Sequence, residues 1–187
     1  KYSSVDGVLF NANKTELICY PLGKTETSYT VPESVTTISE GAFMDCIALT
    51  SVTIPESVTV ICDKAFYGCT GEVNICTRAI EEESSYSSFE GVAKIIIGDN
   101  ITKIGSNVFN GCSSLTSITI PKSVTKISSI AFVSSPEVVI SGYVGSTAET
   151  FANSQGIPFS DITTTPTPTP NPTATPTMKP TATPTKV

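Results

Sequence analysis

The chain has 187 residues, with 11 Lys+Arg against 17 Asp+Glu and neither histidine nor tryptophan. A net charge of −6 opposes binding to nucleic acid or to an anionic membrane through bulk charge, and no apolar run approaches the ~18 residues that insert across a bilayer. Lacking histidine, the chain lacks both the commonest general base and the commonest metal ligand, which points away from catalysis and from any metal or cofactor.

The sequence opens on a folded-looking segment, Lys1-Tyr2-Ser3, with no visible leader, and so reads as a mature or trimmed chain. Residues 5–21 alternate around a turn at Asn11-Ala12-Asn13-Lys14, which predicts a β-hairpin; residues 1–28 are assigned to this cap. A repeat follows. Residues 31–54 read VPESVTTISEGAFMDCIALTSVTI and residues 54–77 read IPESVTVICDKAFYGCTGEVNICT. Residues 97–120 read IGDNITKIGSNVFNGCSSLTSITI, and 120–132 begin again as IPKSVTKISSIAF. Pro32 to Pro55, Phe43 to Phe66, Cys46 to Cys69 and Phe109 to Phe132 are all 23 residues. A degenerate stretch lies between the two pairs, where Ile75 falls 21 after Ile54 and 22 before Ile97. The offsets chain into one array of about five units of 20–23 residues over 29–140.

Each unit has a physical reading. Leu49, Val52 and Ile54, like Leu115, Ile118 and Ile120, place alternate apolar residues on one face of a short strand. Proline then ends the strand, because it cannot donate to the next ladder bond. The pairs Ala42-Phe43, Ala65-Phe66 and Ala131-Phe132 are expected to set a ring beneath the strand from a short helical or 3₁₀ turn. A unit this small cannot bury its own apolar face, so the expected fold is a β-rich solenoid whose stacked units share one ladder of Ile, Val, Phe and Cys.

The pattern I-P-x-S-V-T-x-I-x-x-x-A-F-x-x-C-x-x-L-x-x-V/I-x-I resembles the BspA-like, or Treponema-type, leucine-rich repeat of bacterial surface proteins over roughly residues 29–140. Val5 to Phe10 with Leu17 to Pro21 resembles the leading hairpin of that family, and Tyr143 to Thr150 its closing segment. The resemblance implies a right-handed leucine-rich repeat array on a bacterial surface or secreted from it. It also implies adhesion to host proteins such as matrix glycoproteins, or to neighbouring bacteria. The third unit departs from the pattern: Glu81-Glu82-Glu83 and the serines after them replace apolar positions, so this unit is expected to bulge outward or break the ladder.

Residues 141–162 read as a C-terminal cap. Ser146 and Glu149 have capping-box spacing, Ala148, Phe151 and Ala152 supply an apolar side, and Gly156 and Pro158 are stop signals. A helix of about two turns and a final strand near 157–162 are expected there. From Thr163 the composition turns to Thr and Pro, predicting a disordered, polyproline-II-like linker over 163–187. At ~3.1 Å per residue such a linker reaches roughly 75–80 Å. It looks like the spacers that join modules in secreted bacterial proteins, and its composition suits O-glycosylation.

Six cysteines, at 19, 46, 62, 69, 76 and 112, raise the question of disulfides. Cys46, Cys69 and Cys112 share one repeat position and are read as small buried core residues. One bridge involving Cys19, Cys62 or Cys76 stays open. The spacing of Cys62, Cys69 and Cys76 matches no zinc knuckle, so no metal is expected. Glu81 to Glu83 is read as a solvated loop in preference to a calcium site or a carboxylate pair.

The feature left for function is the outward side of the strands. The residues between inward positions are Thr30, Thr53, Asn74, Ile96 and Thr119, flanked by Ser28, Ser51, Glu72, Lys94 and Ser117. This column is either a recognition face or a set of merely solvated strand positions. The leading expectation is a non-catalytic, monomeric, extracellular or cell-surface module that binds a protein or glycan. The alternative is a structural spacer or accessory module of a larger secreted bacterial enzyme.

Overall fold

In the computed structural model, which describes residues 1–81 and 88–163, the units wind into a solenoid of longer and shorter strands. The chain opens with β1 (Tyr2–Val5), β2 (Val8–Asn11) and β3 (Glu16–Cys19). Then follow β4 (Ser28–Thr30), β5 (Thr37–Ile38), β6 (Ser51–Ile54), β7 (Val60–Ile61) and β8 (Glu72–Ile75). After a 3₁₀ turn at Arg78–Glu81 come β9 (Lys94–Ile97), β10 (Lys103–Ile104), β11 (Ser117–Thr119), β12 (Lys126–Ile127) and β13 (Val139–Gly142). Helix α1 (Thr147–Gln155) and β14 (Phe159–Asp161) close the array.

Strands β4, β6, β8, β9, β11, β13 and β14 lie side by side in that order as one seven-stranded parallel sheet. Alternation decides what faces in: Val52 and Ile54, Val73 and Ile75, Ile95 and Ile97 are buried, while the residue between each pair faces out. Pro55 and Pro121 follow Ile54 and Ile120, ending each strand where no further ladder donor is needed. The shorter strands form a second layer in two pieces, β1-β2-β3-β5-β7 and β10-β12. Between the layers runs an aromatic ladder of Tyr20, Phe43, Phe66, Phe89, Phe109, Phe132 and Phe151, with successive ring centroids 4.8–5.8 Å apart.

Two expectations need correction. The Ala-Phe segments are tight turns and not helical pieces. Gly41, Lys64 and Asn107, two residues before the ring, have φ of 62°, 55° and 60°. Asp45, Gly68, Gly91, Gly111 and Ser134, two residues after it, have φ of 54°, 73°, 100°, 72° and 60°. Left-handed residues beside the ring stop a helix from propagating, and the turns instead dock on the next coil. The Phe43 and Asp45 amides donate to the carbonyls of Ala65 and Tyr67, both at 2.8 Å.

The second correction concerns the third unit, where the ladder is unbroken. Phe89 stacks between Phe66 and Phe109 at 5.5 and 5.7 Å, and Val92 is buried beside it. Strands β8 and β9 pair over four residues without a register shift. The irregularity falls on the shorter strands, which stop at β7 and resume at β10. There the 3₁₀ turn buries Ile80, whose carbonyl accepts the Gly105 amide at 2.8 Å in place of a strand. Whether the unit bulges is a matter of residues 82–87, which lie outside the described residues, as does the Thr/Pro stretch after Thr163.

Both ends are capped. The hairpin expected at residues 5–21 is present as β2 and β3, and β1 extends it through a turn at Asp6-Gly7 with φ of 48° and 83°. A left-handed pair is what a two-residue hairpin turn requires, and Asp-Gly is its sequence signal. At the other end the Ser146 hydroxyl accepts the Glu149 amide at 3.4 Å, and the Glu149 carboxylate accepts the Gly145 amide at 2.7 Å. Gly156, with φ 67°, terminates the helix, which buries Ala148, Phe151 and Ala152 against the last coil.

Candidate functional site

The seven-stranded sheet brings the outward residues into register. Thr30 pairs with Thr53, Thr53 with Asn74, Asn74 with Ile96, and Ile96 with Thr119. The column continues through Ser141 and Ser160, which belong to β13 and β14 and extend it past the five residues read from the repeat. Counting the strand alternation on past Thr119 would have found them. A parallel column runs Ser28, Ser51, Glu72, Lys94, Ser117 and Val139.

The middle of this face is tied together by its own side chains. Lys94 Nζ lies 2.6 Å from Glu72 Oε2, and Asn74 Nδ2 donates to Glu72 Oε1 at 3.3 Å and to Ser51 Oγ at 3.2 Å. Asn74 is therefore engaged within the face. The hydroxyls of Thr30, Thr53 and Thr119 have no partner among the described residues, and Ile96 is a half-buried apolar step between Asn74 and Thr119.

Hydroxyls at the corners of the coils have a structural task. At the corners, Thr36 and Thr59 donate to the carbonyls of Thr15 and Thr36, and Thr50 and Thr116 to those of Thr27 and Ala93, at 2.9–3.2 Å. Each bond reaches one coil back, to a carbonyl that also accepts the amide of the same threonine, and so adds a side-chain tie where the chain bends between layers. Only tertiary stacking separates these threonines from the facial ones.

None of the six cysteines is joined in a disulfide. Cys46, Cys69 and Cys112 are buried in the core, Cys19 is exposed, and Cys62 and Cys76 are half-buried. Burial pushes the Cys62 thiol up, with Asp63 and Glu16 adding to it, and burial followed by Glu56 does the same for Cys76. Among the described residues no three Cys, Asp or Glu side chains converge as metal ligands would. Of the acidic run, Glu82 and Glu83 lie outside the described residues. Two cavities among the described residues lie off the sheet face. One of about 280 Å³ sits between Phe132 and Phe151 at the C-terminal cap, and one of about 290 Å³ opens beside Glu56, Thr59, Arg78 and Asn100 where the shorter strands are interrupted.

Comparison with known proteins agrees with this architecture. The BspA type leucine rich repeat region matches residues 23–139 in six copies. A leucine rich cell surface protein from Faecalibacterium prausnitzii A2-165 is 34% identical, with TM-score 0.57, covering 82% of this chain and 42% of its own. The pneumococcal vaccine antigen PcpA is 22% identical with TM-score 0.56, covering 84% of this chain and 47% of its own, and shares the fold. The chain thus spans less than half the length of either. No curated protein sequence matches. With the repeat matched over more than half its length and the ladder continuous through every coil, the chain belongs to the BspA-type leucine-rich repeat family.

Proposed function

We propose that the chain is a non-catalytic binding module, carried outside a bacterial cell, that engages an extracellular protein or glycan through the outward face of its seven-stranded sheet. The observation that carries this reading is the unbroken column Thr30, Thr53, Asn74, Ile96, Thr119, Ser141 and Ser160. Hydrogen-bonded strands hold these groups in place before any partner arrives, which lowers the ordering cost of association. Free hydroxyls at Thr30, Thr53 and Thr119 supply directional contacts, and Ile96 supplies an apolar one. Glu72 and Lys94 neutralise each other, so recognition here depends on shape and hydrogen bonding and little on ionic strength. The extracellular assignment is supported by the family and by the Faecalibacterium neighbour, described as a cell surface protein. The histidine-free composition favours binding over catalysis.

The test is binding of the full chain, as a monomer, to matrix glycoproteins and glycan arrays, repeated with Thr53→Lys, Asn74→Lys and Thr119→Lys combined. Outward-facing strand positions accept lysine without disturbing the core, so circular dichroism should be unchanged while affinity falls by about tenfold or more. Undiminished binding by the folded triple variant would move the site off this face.

A further inference from the structure

We propose that Cys46 and Cys69 are a redox-operated staple between neighbouring coils, thiols that close to a disulfide when a small-molecule disulfide is the oxidant. Each stands three residues after a ring of the ladder, and those rings, Phe43 and Phe66, stack at 4.8 Å with 6° between their planes. The column at this position reads Cys46, Cys69, Val92, Cys112 and Ser135, so in it only the first two thiols are consecutive. The turns that carry them are held in register by the bonds from Phe43 to Ala65 and from Asp45 to Tyr67. That places the coils near the ~4.8 Å spacing of paired strands, within the ~4.4–6.8 Å Cα separation a disulfide spans.

The Cys69 side chain already reaches toward the coil that carries Cys46. The Cys69 thiol donates at 2.9 Å to the Phe43 carbonyl, which also accepts the Cys46 amide at 3.2 Å. The Cys46 thiol points to the Tyr20 and Met44 carbonyls at 3.8 and 3.7 Å, so closing the bridge turns its side chain toward Cys69 by a change of rotamer. Structural duty at this position does not require sulfur. Ser135 Oγ performs it by donating to the Phe109 carbonyl at 2.6 Å and accepting the Cys112 amide at 3.1 Å.

The step balances as thiol–disulfide exchange. Cys69 gives up its proton, and with it the bond to the Phe43 carbonyl, to form the attacking thiolate. It attacks one sulfur of the oxidant and expels a thiolate, which takes a proton. Cys46 then loses its proton and attacks the Cys69 sulfur of the mixed disulfide, releasing the second small thiol. One small disulfide becomes two small thiols, and two protein S–H groups become one S–S bond. Access requires the turn to lift, and its cover is thin: Met44 and Ile47 in the same turn are 39% and 71% exposed. Solenoids fray from their ends, so a bond here would tie the first ring-bearing turn to its successor.

The experiment equilibrates the full chain with mixtures of oxidised and reduced glutathione, alkylates remaining thiols, and digests with trypsin without reductant. Peptide 25–64 carries Cys46 and Cys62, and peptide 65–78 carries Cys69 and Cys76. The chain is therefore compared with a Cys62→Ser/Cys76→Ser version, which leaves one thiol in each. The expected result is the two peptides joined with loss of two hydrogens, abolished by Cys69→Ser. The thermal midpoint of the oxidised wild-type chain should rise by about 5 °C or more and fall back with reductant. The proposal is overturned if Cys46 and Cys69 stay open to alkylation at every glutathione ratio, if their bridge forms only in denaturant, or if oxidation lowers the midpoint.

Discussion

At the residue scale, the ring-bearing turns depend on backbone conformations that most side chains resist. Gly91 and Gly111 occupy the same repeat position with φ of 100° and 72°, yet their surroundings differ. A Cβ on Gly91 would meet Gly68 N at 2.6 Å and Gly68 Cα at 2.9 Å, whereas a Cβ on Gly111 has nothing within 4 Å. Gly111→Ala should therefore cost only the left-handed penalty, about 1 kcal/mol. Gly91→Ala adds displacement of one backbone by another, bringing the loss to about 2–4 kcal/mol. Urea unfolding of both variants checks this, and equal losses would mean that coil-to-coil contact at Gly91 is not tight. The spacing of the repeat shows that position recurring as Asp45, Gly68, Gly91, Gly111 and Ser134, but only the fold reveals the shared left-handed φ.

At the element scale, the N-terminal end of the long sheet is the place to look for pH sensitivity. Strand β4 is an edge, and its inward residue Tyr29 closes the aromatic ladder with Tyr20, ring centroids 5.0 Å apart. Burial, and then the neighbouring Tyr20 and Asp6, push the Tyr29 phenol from 10.0 up to about 12. The folded state thus holds this proton more tightly than the unfolded chain. Its stabilisation is complete below pH 10 and is lost as pH rises through about 12. Thermal melts across that interval should show a steeper alkaline decline for the native chain than for Tyr29→Phe, and parallel curves would remove Tyr29 as the cause. The degenerate unit teaches a related lesson. Phe89 and Val92 fall 23 residues after Phe66 and Cys69, on the repeat spacing, whereas the buried Ile80 falls 19 after Ile61 and 24 before Ile104. Stacking on regular neighbours recruits Ile80 where local pattern does not.

For the molecule as a whole, charge is distributed unevenly along the axis. Residues 1–90 contain 13 Asp+Glu and 5 Lys+Arg, while residues 91–163 contain 4 of each. The described residues offer two ion pairs, Lys24 with Glu26 and Lys94 with Glu72, too few to offset repulsion in the first half. Raising salt from about 0.01 to about 0.15 M shortens the screening length from ~30 to ~8 Å. The thermal midpoint should rise over that range, with hydrogen exchange slowing most in the coils before residue 90. A midpoint that falls with salt would show attraction outweighing repulsion. On the sheet face Glu72 is paired with Lys94, so most of this acidity lies off that face.

The sequence alone determined the coil count to within one, the inward residues of the long strands, the facial column from Thr30 to Thr119, and the helix between Ser146 and Gly156. These are legible because a solenoid reuses one local pattern, so each core position is written several times. Tertiary structure alone decided that Ala-Phe segments turn instead of coiling, that Ile80 completes an imperfect unit, that corner threonines bond the preceding coil, and that the Cys69 thiol reaches the Phe43 carbonyl. Each of these depends on contact between coils some twenty residues apart, where a neighbour's backbone sets the conformation and periodicity within one coil carries no record of it.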